Sequence, residues 1–309
     1  MDASELQSAS RTESPRIEFR KTRNLGDIIN ITLLFMRQNF KPLATAIVYI
    51  AGPFALLTGV AAGIYQANVR DLAIGAGGGS ADPFAAFSQL FSVEYFLIIL
   101  FSVLESTALI AIVYTYINLY IDRPDTEPQV QDIWQGVQQH FLKVFSASLL
   151  AGLLLILGIV LLVIPGIYIS VPISFIYVIM LRENRSVGEA ISRGFALVRG
   201  HWWQSLGVLV VVGLLGYIVS FVFSLPAGVI GFVSAFNSVR EGSGTGATLF
   251  ERALYVLTSI ISSFGTLIFY GIVYIATAFQ YFNLAERKEA TGLMNKLQGI
   301  DTPPAPNTF

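Results

Sequence analysis

Residues 143–203 read KVFSASLLAGLLLILGIVLLVIPGIYISVPISFIYVIMLRENRSVGEAISRGFALVRGHWW. No charged side chain stands between Lys143 and Arg182. A helix crosses a hydrocarbon core with about 20 mostly apolar residues. The stretch therefore predicts two crossings, 144–164 and 167–181, joined by a hairpin turn at Pro165-Gly166 near the far interface. Pro172 predicts a kink in the shorter one. Working outward, four more runs qualify: 43–64, 95–120, 206–224 and 253–281. The piece 225–236, opened by Pro226, reads as an extension of the fifth span or an interfacial turn, in preference to a re-entrant segment.

Charge sorts with these spans. Sixteen of the 19 basic residues fall on one side: Arg11, Arg16, Arg20, Lys21, Arg23, Arg37, Lys41, Arg123, Lys143, Arg182, Arg185, Arg193, Arg199, Arg287, Lys288 and Lys296. Only Arg70, Arg240 and Arg252 fall on the other. The positive-inside rule then places both termini in the cytoplasm, which needs an even number of spans, and six fits. A mean hydropathy of +0.65 with only 13% charged residues lies outside the range of soluble domains. The chain has no cysteine, which excludes disulfides, thiolate chemistry and Cys-ligated metal. The N-terminus lacks the short apolar core of a signal peptide, so the first span is expected to direct insertion. The expected compartment is a bacterial cytoplasmic (inner) membrane.

The expected domain plan is a disordered tail over 1–23, a membrane domain over 24–286 and a second tail over 287–309. The connection 65–94 holds the glycine-rich run 75–80, and 237–247 holds Glu241-Gly242-Ser243-Gly244. Both read as water-facing spacers.

Three segments on the basic side look alike. Asn24 with Asp27, and Ser186 with Glu189, each offer a helix N-cap and an acid three residues on. At the same offset of 162, Ile29 matches Ile191, Leu33 matches Phe195, Met36 matches Val198, Arg37 matches Arg199 and Phe40 matches Trp202. A shorter third copy carries Val130, Trp134, Val137 and Phe141, with His140-Phe141 echoing His201-Trp202. Each segment predicts an interfacial amphipathic helix leading into a span. The fold expected is all-α: six transmembrane helices and three such helices, in units of about 24–120, 130–181 and 186–281. Duplication and shared interfacial physics both account for the likeness.

The segment 142–217 resembles a bacterial family of polytopic membrane proteins related to the membrane domain of glycerophosphodiester phosphodiesterases. Carrying the likeness are Pro165-Gly166-Ile167-Tyr168, Glu183, the run Ser186 to Arg193, and Phe195-Ala196-Leu197-Val198-Arg199-Gly200-His201-Trp202-Trp203. Gly194 stands where the family pattern has a small hydroxyl residue. The resemblance covers about a quarter of the chain and implies a membrane fold without a reaction. In the fused enzymes the catalytic part is a separate barrel beyond the last span. With 28 residues after Tyr281 no such barrel is expected, so hydrolase activity is not carried over.

Glu105 is the one acid well inside a predicted span, roughly 15 Å deep at 1.5 Å per residue. It predicts either a proton or cation site or a packed acid that is protonated, hydrated or bonded to hydroxyls such as Ser102 or Ser106. Trp134, Trp202, Trp203 and His201 read as interfacial anchors. Arg182, Arg185, Arg193 and Arg199 are candidates for anionic headgroups. The small-residue pairs Ser148 with Gly152 and Ala227 with Gly231 allow close helix contact. With only His140 and His201, no metal site is expected, nor is any cofactor. No nucleophile has a neighbouring base and no phosphate loop follows a strand, so no enzyme is expected. Nucleic acid is not an expected partner; the lipid bilayer is, along with a membrane protein or a second copy of the chain. The function expected first is a non-enzymatic organiser of lipids or partner proteins at the cytoplasmic face. A small-solute or ion transporter or channel using Glu105 is the alternative.

Overall fold

The computed structural model describes residues 16–76, 83–161, 163–241, 247–290 and 294. Every regular element among them is helical. In chain order these are α1 (Leu25–Ile50), α2 (Gly52–Ala76), α3 (Pro83–Ser88), α4 (Val93–Asp122) and α5 (Val130–Leu161). Then come α6 (Val163–Ile173), α7 (Ile176–Arg182), α8 (Val187–Val198), α9 (Trp202–Glu241) and α10 (Leu249–Glu289). Five stretches are each long and apolar enough to cross a membrane, and the bent pair α1–α2 makes a sixth if counted as one. The expected spacers at 77–80 and 242–244, the tail at 1–15 and the chain end beyond Ala290, Met294 apart, lie outside the described residues.

Arg23 donates its backbone N–H to Asn283 Oδ1 at 2.8 Å, so the described chain ends share one face, called here the terminal face. The opposite one, with the caps at Ser92 and Thr248, is the loop face. α10 packs against α2, α9, α1, α4 and α8, which makes it the hub of the bundle.

Proline decides the breaks. The expected span 43–64 is divided at Ala51, where α1 and α2 meet at 61°. Pro53 lacks an N–H and its ring clashes with the carbonyl four residues back, so one straight helix cannot pass. α2 instead runs on to Ala76, well into the connection expected from residue 65. The hairpin also differs from expectation. α5 ends at Leu161 and α6 starts at Val163, so the reversal precedes Pro165-Gly166. Pro165 lies in the first turn of α6, where its missing N–H has no partner to lose. Pro172 does interrupt its span, which halts at Ile173 and resumes at Ile176. Pro226 does not break α9, which is continuous from Trp202 to Glu241, so 225–236 is an extension of the fifth span.

The N-terminal tail is shorter than expected. Ile17 and Phe19 are buried, and the Phe19 ring stacks on Phe279 with centroids 4.5 Å apart. Phe35, Tyr120 and Phe282 meet Phe19 edge-on, and the Ile17 N–H donates to Tyr120 OH at 3.1 Å, so residues 16–23 are tied into the bundle. At the other end α10 continues through Arg287, which donates to the Arg23 carbonyl.

Of the three expected interfacial helices only α8 is separate. Gly200, at φ +84°, ends it in the left-handed region that favours glycine. Gln38 stands at the corresponding place in α1, and the helix runs through. The segment at 130–141 is likewise continuous with the span that follows. Burial nevertheless recurs in one register. Thr32, Met36, Leu43, Ala46 and Ile50 are buried; so are Ile133, Val137, Val144, Ala147 and Ala151. Gly194, Val198, Ser205, Val208 and Val212 complete the set. Both predicted acid caps form: Asp27 accepts from Asn24 N–H, and Glu189 from the N–H and hydroxyl of Ser186.

α2 and α10 approach most closely at Gly59 and Gly63. A Cβ on Gly63 would lie 2.4 Å from Val256 Cα, and one on Gly59 2.6 Å from Ile260 Cα. This pair makes the tight contact expected of small residues four apart. The pair Ser148 and Gly152 does not, since a Cβ on Gly152 meets nothing within 4 Å.

Candidate functional site

Four helices, α2, α4, α9 and α10, line a cavity of about 980 Å³ that holds Glu105. Its wall runs from Arg70 and Tyr255 near the loop face to Tyr274. Along α10 the polar layer at Glu251 and the one at Gln280 are about 44 Å apart, so Thr266 and Ser262 fall midway. The cavity thus extends from the loop-face end past the middle of the bundle. Below it the packing closes, with Tyr114, Tyr116, Phe35 and Phe279 fully buried.

Glu105 is half-buried and faces this space. Thr58 on α2, a residue that sequence reasoning missed, stands beside it, but the Thr58 hydroxyl donates to the Phe54 carbonyl at 2.9 Å. The expected neighbours Ser102 and Ser106 also line the cavity, but Ser106 donates to the Val103 carbonyl at 3.1 Å. Opposite stand Ser259, Ser262, Ser263 and Thr266 of α10. Their spacing of three, four and seven puts all four hydroxyls on one face of a helix, a polar stripe within an apolar span. That periodicity was the available signal.

A charged cluster stands at the loop-face rim. Arg70 reaches Asp71 at 3.1 Å and Glu251 at 3.3 Å, while Arg252 also pairs with Asp71. Ser234 donates to Glu251, and the Ala247 N–H donates to Asp71 at 2.6 Å, which joins α2, α9 and α10. The Arg70 side chain is 10% exposed, lines the cavity, and keeps its Nε buried without a partner among the described residues.

The terminal-face candidates resolve differently. Glu183 accepts from Tyr281 OH at 2.9 Å, Arg193 Nε at 3.1 Å and Arg185 Nε at 2.6 Å. Burial pushes this carboxyl up, but hydrogen bonds from Tyr281, Arg193 and Arg185, with the Arg193 charge, hold it below the usual carboxylate range. Arg193 also pairs with Glu289, and Arg182 with Asp122 at 2.8 Å. Three of the four arginines expected at lipid headgroups are therefore committed to acids of the protein itself. Arg199 is exposed, in no ion pair among the described residues.

Trp203 is 79% exposed and Trp134 41%, as suits membrane anchors, but Trp202 has another task. Pro172 has no N–H to give the Tyr168 carbonyl, and the Trp202 indole donates there instead at 3.1 Å. The two rings stack with centroids 5.5 Å apart. Gly194 belongs to the same junction, since a Cβ on it would lie 2.5 Å from the Pro172 oxygen. His201 sits at the α8–α9 break, its Nδ1 without a partner among the described residues. Among those residues no group of three potential metal ligands occurs.

No family model, curated protein or solved structure matches this chain.

Proposed function

We propose that this chain is a non-enzymatic, multi-pass membrane protein whose loop-face cavity admits a small solute to Glu105, in the manner of a transporter. The observation that carries the reading is an acid deep in an apolar helix that opens into about 980 Å³ instead of packed core. Ligand sites fall at about 300–1,000 Å³ and combine apolar walls with a few convergent polar groups. Closed packing beneath Tyr274 fits a state open toward one face. The basic residues orient the terminal face to the cytoplasm of a bacterial inner membrane, and the recurrent burial register favours a threefold internal duplication.

Ser263→Cys tests this reading in a chain that has no cysteine of its own. A membrane-impermeant maleimide should label Ser263→Cys much faster than Ala276→Cys, whose parent residue is 1% exposed. Gly228→Trp should then block labelling, because Gly228 lines the cavity and a Cβ there meets nothing within 4 Å. Equal, slow labelling at both positions refutes the cavity as a solute path. The exposed Trp203 supports a second reading, an organiser of lipids or partners at the cytoplasmic face. It expects Trp203→Ser to impair cells more than Glu105→Gln, and the transporter reading expects the reverse.

A further inference from the structure

We propose that the occupant of the cavity is a lipophilic organic cation, its positive charge meeting Glu105 and its apolar body filling the space around it. This rests on the cavity reading above and narrows it to one chemical class.

Charge comes first. No ion pair among the described residues includes Glu105. The guanidinium on the same wall, Arg70, lies twelve residues along α2 from Thr58, about 18 Å away. Its terminal nitrogens are already spent on Asp71 and Glu251. Thr58 offers Glu105 little as a donor, because its one hydroxyl proton goes to the Phe54 carbonyl at 2.9 Å. A carboxylate here thus lacks both a cation and a committed donor. An occupant that brings positive charge supplies what the protein leaves out, whereas an anion meets the acid with no free base beside it.

Shape and lining then separate organic from inorganic cations. A bare metal ion needs several oxygen ligands closing on it at short range. The cavity is far larger than such a shell, and the cluster of acids or histidines that would tighten it is absent among the described residues. Tyr65, Tyr255, Tyr270 and Tyr274 instead bring aromatic rings to the wall, and ring faces attract organic cations. A second cavity of about 560 Å³ adjoins, sharing Ser106 and Tyr274 with the first. Ser106 follows Glu105 on α4, so apolar space continues around that helix from the acid.

Tetraphenylphosphonium is the probe, with tetraphenylborate as its counterpart of like shape and opposite charge. Equilibrium binding to the full chain in mild detergent should show saturable binding of the cation, with the anion at least about tenfold weaker. Glu105→Gln should lower cation affinity at least about tenfold and erase the preference, while Glu105→Asp keeps most of it. Both variants should elute from a sizing column as the parent does. Equal or tighter binding of tetraphenylborate overturns the proposal, as does cation binding that Glu105→Gln leaves unchanged. If neither probe binds but Ser263→Cys labels as described, the cation assignment falls and the cavity reading stands. If that labelling also fails, both fall.

Discussion

The junction of Trp202 with Pro172 allows a quantitative test of why the span 163–182 is built as it is. A proline inside a helix leaves the carbonyl four residues earlier without its amide donor. Here that carbonyl is Tyr168 O, and the Trp202 indole meets it at 3.1 Å. Trp202→Phe keeps an aromatic ring against Tyr168 but removes the donor. An acceptor left without a donor inside an apolar span, away from water, costs about 1–3 kcal/mol, so a loss of about 2 kcal/mol is expected. Pro172→Ala restores a backbone N–H that can bond Tyr168 O within the helix. In that background Trp202→Phe should cost about 1 kcal/mol or less. The coupling energy of the double-mutant cycle is then about 1 kcal/mol or more, above the scatter of independent sites. Reversible unfolding of the four proteins in detergent measures it. Additive losses, with coupling within about 0.5 kcal/mol of zero, would falsify the shared-acceptor account.

Three further predictions follow from other contacts. Gly63→Ala should destabilise the α2–α10 pair by about 2 kcal/mol or more, because the new Cβ lands 2.4 Å from Val256 Cα. The same change at Gly152, with open space around it, should be nearly neutral by the same unfolding assay. Phe19→Ala should cost about 3 kcal/mol and make residues 16–23 susceptible to protease, since Phe19 touches four other aromatic rings; an unchanged digestion pattern contradicts this. Glu183 carries a pH signature. Its folded value is held below the ordinary 4.5, so its stabilisation is complete above 4.5 and is lost only as pH falls through the lower folded value. With Trp134 and Trp203 replaced by Phe, Trp202 fluorescence should report α8 constant from pH 7 to 5 and loosening below 4.5, with Glu183→Gln removing that acid limb. Release between pH 7 and 5 counts against the Glu183 network.

Legibility in sequence tracked the range of the physics involved. The apolar runs, the capping boxes at Asn24 and Ser186, and the kink at Pro172 are local, and each is legible in the sequence. Glu105 stood out because burying an acid in an apolar run is expensive wherever the helix packs. Its neighbour Thr58 comes from another helix, 47 positions away, and no spacing rule links the two. The arginines of 182–199 show how tertiary contacts add to a local pattern. A basic cluster beside a span reads as a headgroup site, yet Glu183 and Asp122 fold back to claim three of them. Pro53 lay in plain sight inside an expected span, and hydropathy outweighed its missing N–H.

Composition and local pattern by themselves determined that this chain forms several long apolar helices and that two of them start at the caps Asn24 and Ser186. Those properties depend on burial and on hydrogen bonds within a few residues, which the linear order contains. Only the tertiary structure decided that α2, α4, α9 and α10 leave a cavity around Glu105, that Phe19 anchors the N-terminal segment, and that Trp202 serves a carbonyl orphaned by Pro172. Such features depend on helices distant in sequence meeting in one register, and their contacts are set by packing geometry.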